Sequence, residues 1–317
     1  YSLPGRHDID PTAILAPFYF LFFGLMLSDA AYGLILTTLC AIILKKYKPE
    51  GTTHRMIKMF MFCGLSTFMW GALFGGWFGN FFTVAAKTFF GKEFVIKPLW
   101  FDPLSEPMRL LVVSLILGAI HLFVGMGVQA YMDIKDGRPL DALFDIGLWY
   151  LLLIGIVLFA FGGKLGAGAV GIGKIMAIVG AVGILLTGGR KKKGIFGKLT
   201  GGLGSLYGIT SYLSDVLSYS RLLALGLATG VVAQVFNTLG SLAGGGIAGS
   251  ILLIVVFAFG TVFNIAINAL GAFVHSCRLQ YVEFFGKFYT GGGRPFAPFE
   301  RKTKYIKILK EGNDNVK

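Results

Sequence analysis

Long apolar stretches are the feature that most constrains what this chain can fold into. Seven blocks dominate the sequence, at residues 12–44, 58–80, 109–132, 145–163, 170–188, 209–240 and 248–289. A helix rises about 1.5 Å per residue, so roughly 20 apolar residues cross a hydrocarbon core of about 30 Å. Only 14% of the 317 residues are charged, whereas soluble domains average about 25%. The sequence therefore predicts an all-α, polytopic helical membrane protein.

The basic residues predict how the chain is oriented. Twenty of the 29 lysines and arginines lie in alternate connections and in the tail from Lys287 onward, and six lie in the other connections. The positive-inside rule assigns the richer side to the cytoplasm, so the C-terminal tail is expected there. This topology accounts for the net charge of +13 and for the run "RKKKG" at 190–194 without a nucleic-acid partner.

The first block is too long for one upright span and carries Asp29 within "GLMLSDAAYG". It is either one long tilted helix or two short helices forming a hairpin. The hairpin gives about eight spans with both termini cytoplasmic, and we favour it. Asp10 and Pro11 form a helix start. Asp29 either caps a break between two helices or lines an ion path.

Glycine-rich segments and cysteines suggest no cofactor. "GAGAVGIGKI" at 166–175 has the glycine spacing of nucleotide loops, but it lacks the Ser or Thr that binds magnesium and joins two apolar blocks. "FGGWFGN" and the pair Gly226 and Gly230 are typical of close helix packing in lipid. The three cysteines have no metal-ligand spacing. We expect no catalytic nucleotide site, no cofactor and no metal in this chain.

The last two blocks differ from the others because they carry polar residues on one helix face each. These residues are spaced three and four apart and comprise Ser211, Ser214, Ser218 and Arg221 in one block, and Asn264, Asn268, Gly271, His275 and Arg278 in the other. Counted from the cytoplasmic helix ends, both arginines lie some 16–18 Å deep, near the bilayer centre. A charge at that depth is costly and usually marks an ion path or a counter-ion site.

An arginine at this depth has two possible roles. Its pKa is too high for it to carry protons itself, but it can hold a carboxylate of another protein ionised. Alternatively, Arg221 pairs with Asp215 or Glu283 as a structural bridge. His275 is a candidate proton relay, whereas His121, alone in an otherwise apolar block, is expected to be a packing residue.

The same residues carry a family resemblance. "SYSRLLALGLA" and "LGAFVHSCRLQYVEFFGKFYTGGGRPFAPF" closely resemble the membrane half of subunit a (subunit I) of V/A-type rotary ATPases, prokaryotic branch. "IDPTAILAPFYFLFFGLMLSDAAYG" and "WGALFGGWFGN" are similar to the first spans of that family. The resemblance covers essentially the whole chain.

The resemblance implies the static half of an ion-driven rotary motor. Two long tilted C-terminal helices face a rotating ring of proteolipid subunits, and two offset half-channels carry H⁺ or Na⁺ to it. Arg221 and Arg278 match the family's paired arginines. We place Asn264 and Asn268 in the external half-channel, Glu283 in the cytoplasmic one and His275 near the barrier. Asp215 and Ser218 are expected to be half-channel residues as well.

The resemblance also implies partners and a division of the chain. The partners are the proteolipid ring, peripheral-stalk and central-stalk subunits, and the lipid of a prokaryotic cell membrane. We expect residues 1–10 to be an entry segment from a missing cytoplasmic arm, 11–207 to form peripheral membrane helices, 208–290 to form the two-helix ion-channel unit, and 291–317 to form a cytoplasmic tail.

Two positions depart from the family pattern. Eukaryotic relatives carry a carboxylate at the position of Asn268 and a histidine near that of Asp215, so the identity of the relay residues is open. The competing class is a secondary transporter or ion channel. Such a protein is expected to contain inverted repeats, and no second copy of the arginine helix is present in the sequence.

Overall fold

The computed structural model describes residues 3–5, 8–91, 96–164, 167–190, 195–242, 246–294, 296 and 299. Its α-helices are α1 (Thr12–Leu27), α2 (Ala30–Tyr47), α3 (Gly51–Phe74), α4 (Phe81–Phe90), α5 (Pro107–Lys135), α6 (Pro139–Ala142), α7 (Leu148–Phe161), α8 (Ala167–Thr187), α9 (Ile195–Tyr207), α10 (Ile209–Ser218), α11 (Ser220–Ser241) and α12 (Ile247–Arg278). Wider π-helical turns follow α6 at Leu143–Gly147 and α12 at Leu279–Phe284.

Seven helical segments of the described chain are long and apolar enough to cross a membrane. The α1 helix is also apolar but has only 16 residues. The last two segments, Thr200–Ser241 and Gly249–Lys287, contain 42 and 39 residues. Each is about twice the length of an upright span, so it tilts, extends beyond the bilayer, or does both. The all-α, polytopic membrane fold is therefore confirmed.

The first apolar block forms two helices. Backbone continuity breaks at Ser28, which adopts φ 34°, and at Asp29, which is extended. In α1, Phe23 packs on Phe60 and Gly24 approaches Ser66, so α1 runs in the same direction as α3. In α2, Ala30 approaches Gly71 and Thr37 approaches Gly64, so α2 runs antiparallel to α3. The hairpin prediction is correct and the single tilted helix is wrong. The two arms lie on different sides of α3.

Asp29 is the cap of this break. Its Oδ1 accepts hydrogen bonds from the backbone N–H groups of Ala31 at 3.0 Å, Tyr32 at 3.2 Å and Phe78 at 3.1 Å. Its Oδ2 accepts one from the N–H of Gly79 at 2.9 Å. The side chain is buried. One carboxylate therefore joins the start of α2 to the loop that follows α3.

The centre of the bundle is built on aromatic packing around α1, α5, α11 and the end of α12. His121 is buried between Phe18 and Phe284, and its Nδ1 lies 2.7 Å from the hydroxyl oxygen of Tyr219. Tyr219 also packs on Phe22. The prediction that His121 is a packing histidine is confirmed.

Glycines permit close helix contacts at some of the positions predicted from the sequence. In α8, a Cβ on Gly173 would lie 2.6 Å from the backbone of Phe159, so this glycine permits close packing against α7, whereas Gly168 and Gly171 have no atom within 4 Å. A Cβ on Gly226 would lie 3.1 Å from the carbonyl oxygen of Leu25. The helical placement of "FGGWFGN" is wrong, because α3 ends at Phe74 and the following segment is a loop with positive φ at Gly75 and Gly79. Close packing is nevertheless found there, since a Cβ on Gly79 would lie 2.7 Å from the Cβ of Ala233 in α11.

One helix, α9, lies just before the apolar block at 209–240 and was not predicted from it. The α9 helix covers Ile195–Tyr207 and leads directly into α10 across Gly208. Its sequence, with glycines at several positions, gives a weak helix signal because glycine costs about 1 kcal/mol relative to alanine in a helix. A Cβ on Gly202 would lie 2.0 Å from the carbonyl oxygen of Leu185, so close packing on α8 explains the glycine.

Candidate functional site

The two polar helices form an antiparallel pair. Near the far end, Gly260 of α12 packs on Phe236 of α11, and further along Gly271 packs against Leu225. At the opposite end, Lys287 reaches Asp215. Both arginines lie between the Leu225–Gly271 level and the Asp215–Lys287 level. We call the Lys287 level the basic end, because the C-terminal ends of α2 and α5, with their lysines, lie there too.

The asparagines of α12 form a buried polar cluster on the side away from the basic end. Asn264 donates from Nδ2 to the hydroxyl oxygen of Tyr32 at 3.0 Å and to the carbonyl oxygen of Thr229 at 3.1 Å. Asn268 donates from Nδ2 to the carbonyl oxygen of Asn264 at 3.1 Å and contacts its side-chain oxygen. Thr229 donates to the carbonyl oxygen of Met26 at 3.3 Å. These bonds connect α12, α11 and the α1–α2 hairpin.

Arg221 faces Glu283 across the helix pair. Its Nη1 lies 3.5 Å from Oε1 of Glu283, and the side chains are 25% and 3% exposed. The second carboxylate oxygen, Oε2, is buried and has no hydrogen-bond partner among the described residues. Glu283 lies in the π-helical turn after α12, a local geometry that is frequent at functional sites. The contact between the two residues is long for a charge-assisted hydrogen bond.

A second ion pair lies nearer the basic end. Lys287 contacts Oδ2 of Asp215 through Nζ, with side-chain exposures of 13% and 22%. The same ammonium lies 4.1 Å from the ring centroid of Tyr212, which is cation–π distance. In the sequence, Lys287 was counted only among the basic residues that indicate the membrane topology. Its spacing of four residues from Glu283 was the available signal.

Arg278 differs from Arg221 because it is exposed. Within the described parts of the chain it has no ion-pair or hydrogen-bond partner. It lies on an outward stripe of α12 and the following turn with Leu270, Val274 and Val282, which are 65%, 50% and 60% exposed. A guanidinium set in an apolar, outward face is poorly solvated in a membrane unless another protein supplies a carboxylate.

The other polar residues predicted from the sequence are His275 in α12 and the serines of α10. His275 is half-buried, one turn from Arg278, and its Nδ1 has no hydrogen-bond partner among the described residues. Ser218 is half-buried, whereas Ser211 and Ser214 are exposed. The structure thus brings Asp215, Arg221 and Glu283 to one region of the α10–α12 interface. It leaves Asn264 and Asn268 in a separate cluster.

Two cavities with polar residues in their lining lie at opposite ends of the helix pair. At the basic end, a cavity of about 460 Å³ is lined by Asp133, Asp141 and Asp145 together with Tyr212 and Lys287. At the other end, a cavity of about 210 Å³ extends along α11 and is lined by residues that include Asp29, Asn80, Asp102, Gly226, Gly230 and Gln234. Neither cavity includes Arg221 or Arg278 in its lining.

The segment before α1 is joined to the segment after α12. Asp8 accepts hydrogen bonds from the N–H of Gly5 at 3.0 Å, the hydroxyl of Thr290 at 2.8 Å and the N–H of Gly291 at 2.8 Å. Leu3 and Gly293 add an antiparallel backbone bridge. Burial raises the pKa of the Asp8 carboxyl, but these hydrogen bonds outweigh it and hold the pKa below its ordinary value. We call this contact the terminal clasp.

The helix unit that carries the two arginines matches a known protein family. The V-type ATPase 116kDa subunit family matches residues 209–301, which contain the whole α10–α12 unit. The chain is 35% identical over 96% of its length to an A-type ATP synthase subunit I of Methanocaldococcus jannaschii, of which it covers 47%. It is 37% identical over 97% of its length to the corresponding protein of Thermococcus kodakarensis, of which it covers 46%.

A bacterial relative is more distant. The V-type ATP synthase subunit I of Borreliella burgdorferi is 25% identical over 96% of this chain, which spans 51% of that protein. The chain thus spans about half the length of the curated relatives it matches. The alignments with these relatives cover nearly the whole chain, including both arginine helices and the α1–α2 hairpin. The chain belongs to the subunit I family of A-type and V-type ATP synthases.

Proposed function

We propose that this chain is the static membrane subunit of a V/A-type rotary ATPase. In this proposal it forms two ion half-channels against a ring of proteolipid subunits and couples the passage of H⁺ or Na⁺ to rotation of that ring. The peripheral and central stalks are the further partners, and the assembly lies in a prokaryotic cell membrane with the basic end cytoplasmic. The names of the relatives support an ATP synthase complex, and the ion path is inferred from this chain's residues.

The observation that carries the proposal is the exposed guanidinium of Arg278 on an apolar stripe. A membrane protein that functioned without a partner at this face would place a fixed cation against lipid, which is strongly unfavourable. A carboxylate presented by a neighbouring subunit removes this cost, because opposite charges at close range stabilise each other in a low dielectric. Arg221 on the adjacent helix supplies a second cation near the same level.

The paired arginines also separate the two half-channels. A cation that moved directly from the Asn268 side to the Glu283 side would dissipate the gradient without turning the ring. Fixed guanidiniums oppose that step, since like charges repel strongly where water is scarce. In this proposal Asn264 and Asn268 line the external half-channel, Asp215, Ser218 and Glu283 the cytoplasmic one, and His275 stands near the barrier.

The direct test replaces Arg221 in the assembled ATPase. We expect Arg221→Ala to abolish ATP-driven ion transport while the complex still assembles, and Arg221→Lys to restore little, because lysine lacks the planar fork and can lose its proton when desolvated. Arg109→Ala is the matched control: Arg109 is exposed and pairs with Glu106 one turn away. Transport above about a third of wild-type in Arg221→Ala would rule out the assignment, since a blocking cation cannot be dispensable.

The half-channels have their own test. Single cysteines at 264 and 268 are expected to react with impermeant thiol reagents only from outside, and one at 283 only from the cytoplasmic face. Reaction of all three from the same face would contradict the division of α12 into two half-channels.

A further inference from the structure

We infer that Lys287 is the inner gate of the ion path: by pairing with Asp215 it closes the cytoplasmic cavity off from Glu283. In this role Lys287 is a positioning residue, and it acts through the carboxylate that it covers. The inference rests on the proposed function, because it assigns a gate to the cytoplasmic half-channel. It adds a residue that the sequence analysis did not place in the path.

The contacts of Lys287 are those of a closed gate. Its ammonium is held on one side by Oδ2 of Asp215 and on another by the ring face of Tyr212, 4.1 Å from the centroid. The side chain is only 13% exposed. An ammonium on a flexible four-carbon stem makes point contacts and is not locked by a planar fork. It is therefore suited to leaving and regaining its partner.

The position of Lys287 separates the cavity from the buried acid. The cytoplasmic cavity of about 460 Å³ has Lys287 and Tyr212 in its wall, and neither Asp215 nor Glu283 is among its described lining residues. Glu283 lies one helical turn before Lys287 and is 3% exposed, with an unpartnered Oε2. An ion entering from the cytoplasmic cavity thus meets the Lys287 ammonium before it can reach Glu283.

Each side of this interface carries one acidic and one basic residue. The α10–α11 side contributes Asp215 and Arg221, while the end of α12 contributes Glu283 and Lys287. Each pair is neutral when closed, so no net charge is stranded at the interface. Displacing Lys287 opens the Asp215 carboxylate to the cavity, and that carboxylate attracts the entering cation. The flexible stem of Lys287 lets the ammonium leave by side-chain rotation, so opening does not require the helices to separate.

The experiment measures access to position 283 in the assembled ATPase, in sealed vesicles with the cytoplasmic face outward. The reporter is Glu283→Cys in a background without Cys40, Cys63 and Cys277, and the probe is a membrane-impermeant maleimide. Adding Lys287→Met should raise the labelling rate about tenfold, the factor expected if losing the pair shifts a closed-to-open equilibrium by about 1.4 kcal/mol. Adding Lys287→Arg should leave the rate near that of the parent, because the pairing charge is retained.

Two further variants separate gating from simple loss of packing. The exchanged pair Asp215→Lys with Lys287→Asp should return labelling toward the parent rate, since the attraction is restored with the charges reversed. The control is Arg190→Met, because Arg190 pairs with Asp141 at 2.6 Å and Asp145 at 2.8 Å, two carboxylates of the same cavity. It breaks a neighbouring salt bridge and should not change labelling.

Different labelling results would overturn the gate and the cytoplasmic half-channel. An unchanged rate in Lys287→Met, an exchanged pair that labels as fast as Lys287→Met, or an equal rise in Arg190→Met would overturn the gate. Labelling of position 283 only from the opposite face would instead refute the proposed cytoplasmic half-channel. Failure of the gate and failure of the proposed function are therefore told apart by the same measurement.

Discussion

Replacing Asp29 tests whether one buried carboxylate organises the N-terminal half of the bundle. The change Asp29→Asn preserves size and an acceptor at Oδ1, which receives the N–H groups of Ala31, Tyr32 and Phe78. It replaces Oδ2, the acceptor for the Gly79 N–H at 2.9 Å, with an amide that can only donate. Donor then faces donor in a site that is 3% exposed.

The expected cost follows from this geometry. A hydrogen bond to a charged group contributes about 1.5–3 kcal/mol, and a buried donor left without a partner costs about 1–3 kcal/mol. Part of these terms overlaps, so we expect Asp29→Asn to lower the free energy of unfolding by about 3 kcal/mol. Asp29→Ala should cost more, because it leaves all four N–H groups without this acceptor.

The assay is equilibrium unfolding of the full chain in mixed micelles with a denaturing detergent, followed by tryptophan fluorescence. The matched control is Asp10→Asn, at the start of α1, where an exposed carboxylate accepts from the backbone N–H of Thr12 at 3.0 Å. Water can replace that acceptor, so unfolding should stay close to wild-type. If the two variants unfold alike, the linking role of Asp29 is wrong.

Two further predictions concern packing and the terminal clasp. Gly71→Ala should destabilise the bundle by at least about 1–3 kcal/mol, since overpacking forces the backbone apart and the new Cβ would lie 2.0 Å from the N of Ala30. Gly171→Ala in α8, where nothing lies within 4 Å, should be neutral or stabilising in the same unfolding assay. The Asp8 pKa is lowered in the folded chain, so the clasp should stabilise above the unfolded-state pKa and weaken as pH falls through the folded one. The protection of the Gly291 backbone N–H from hydrogen exchange, measured relative to an unstructured amide at the same pH, should therefore fall in acid. Asp8→Asn should remove that pH dependence; equal pH dependence of the protection in both proteins would contradict it.

The amino-acid sequence alone is enough to predict the class of fold and the position of the arginine helices. Apolar blocks of span length leave no alternative to membrane helices, because backbone groups in lipid must be satisfied within the segment. Polar residues at spacings of three and four define a helix face without any tertiary information. The break at Asp29 was also readable, since an aspartate between apolar helical runs is a strong cap signal.

Which polar residues contact one another depends on how the helices pack. The pairing of Lys287 with Asp215, and of Arg221 with Glu283, depends on the register of α10–α11 against α12 and on the π-helical turn at Leu279–Phe284. Helical periodicity cannot give either quantity, because it describes one helix at a time and assumes a constant rotation per residue. The α9 helix was missed for a related reason: its glycines disfavour a helix locally, and contact with α8 outweighs that preference. Interactions between helices, which no single segment encodes, therefore determined the arrangement of the site.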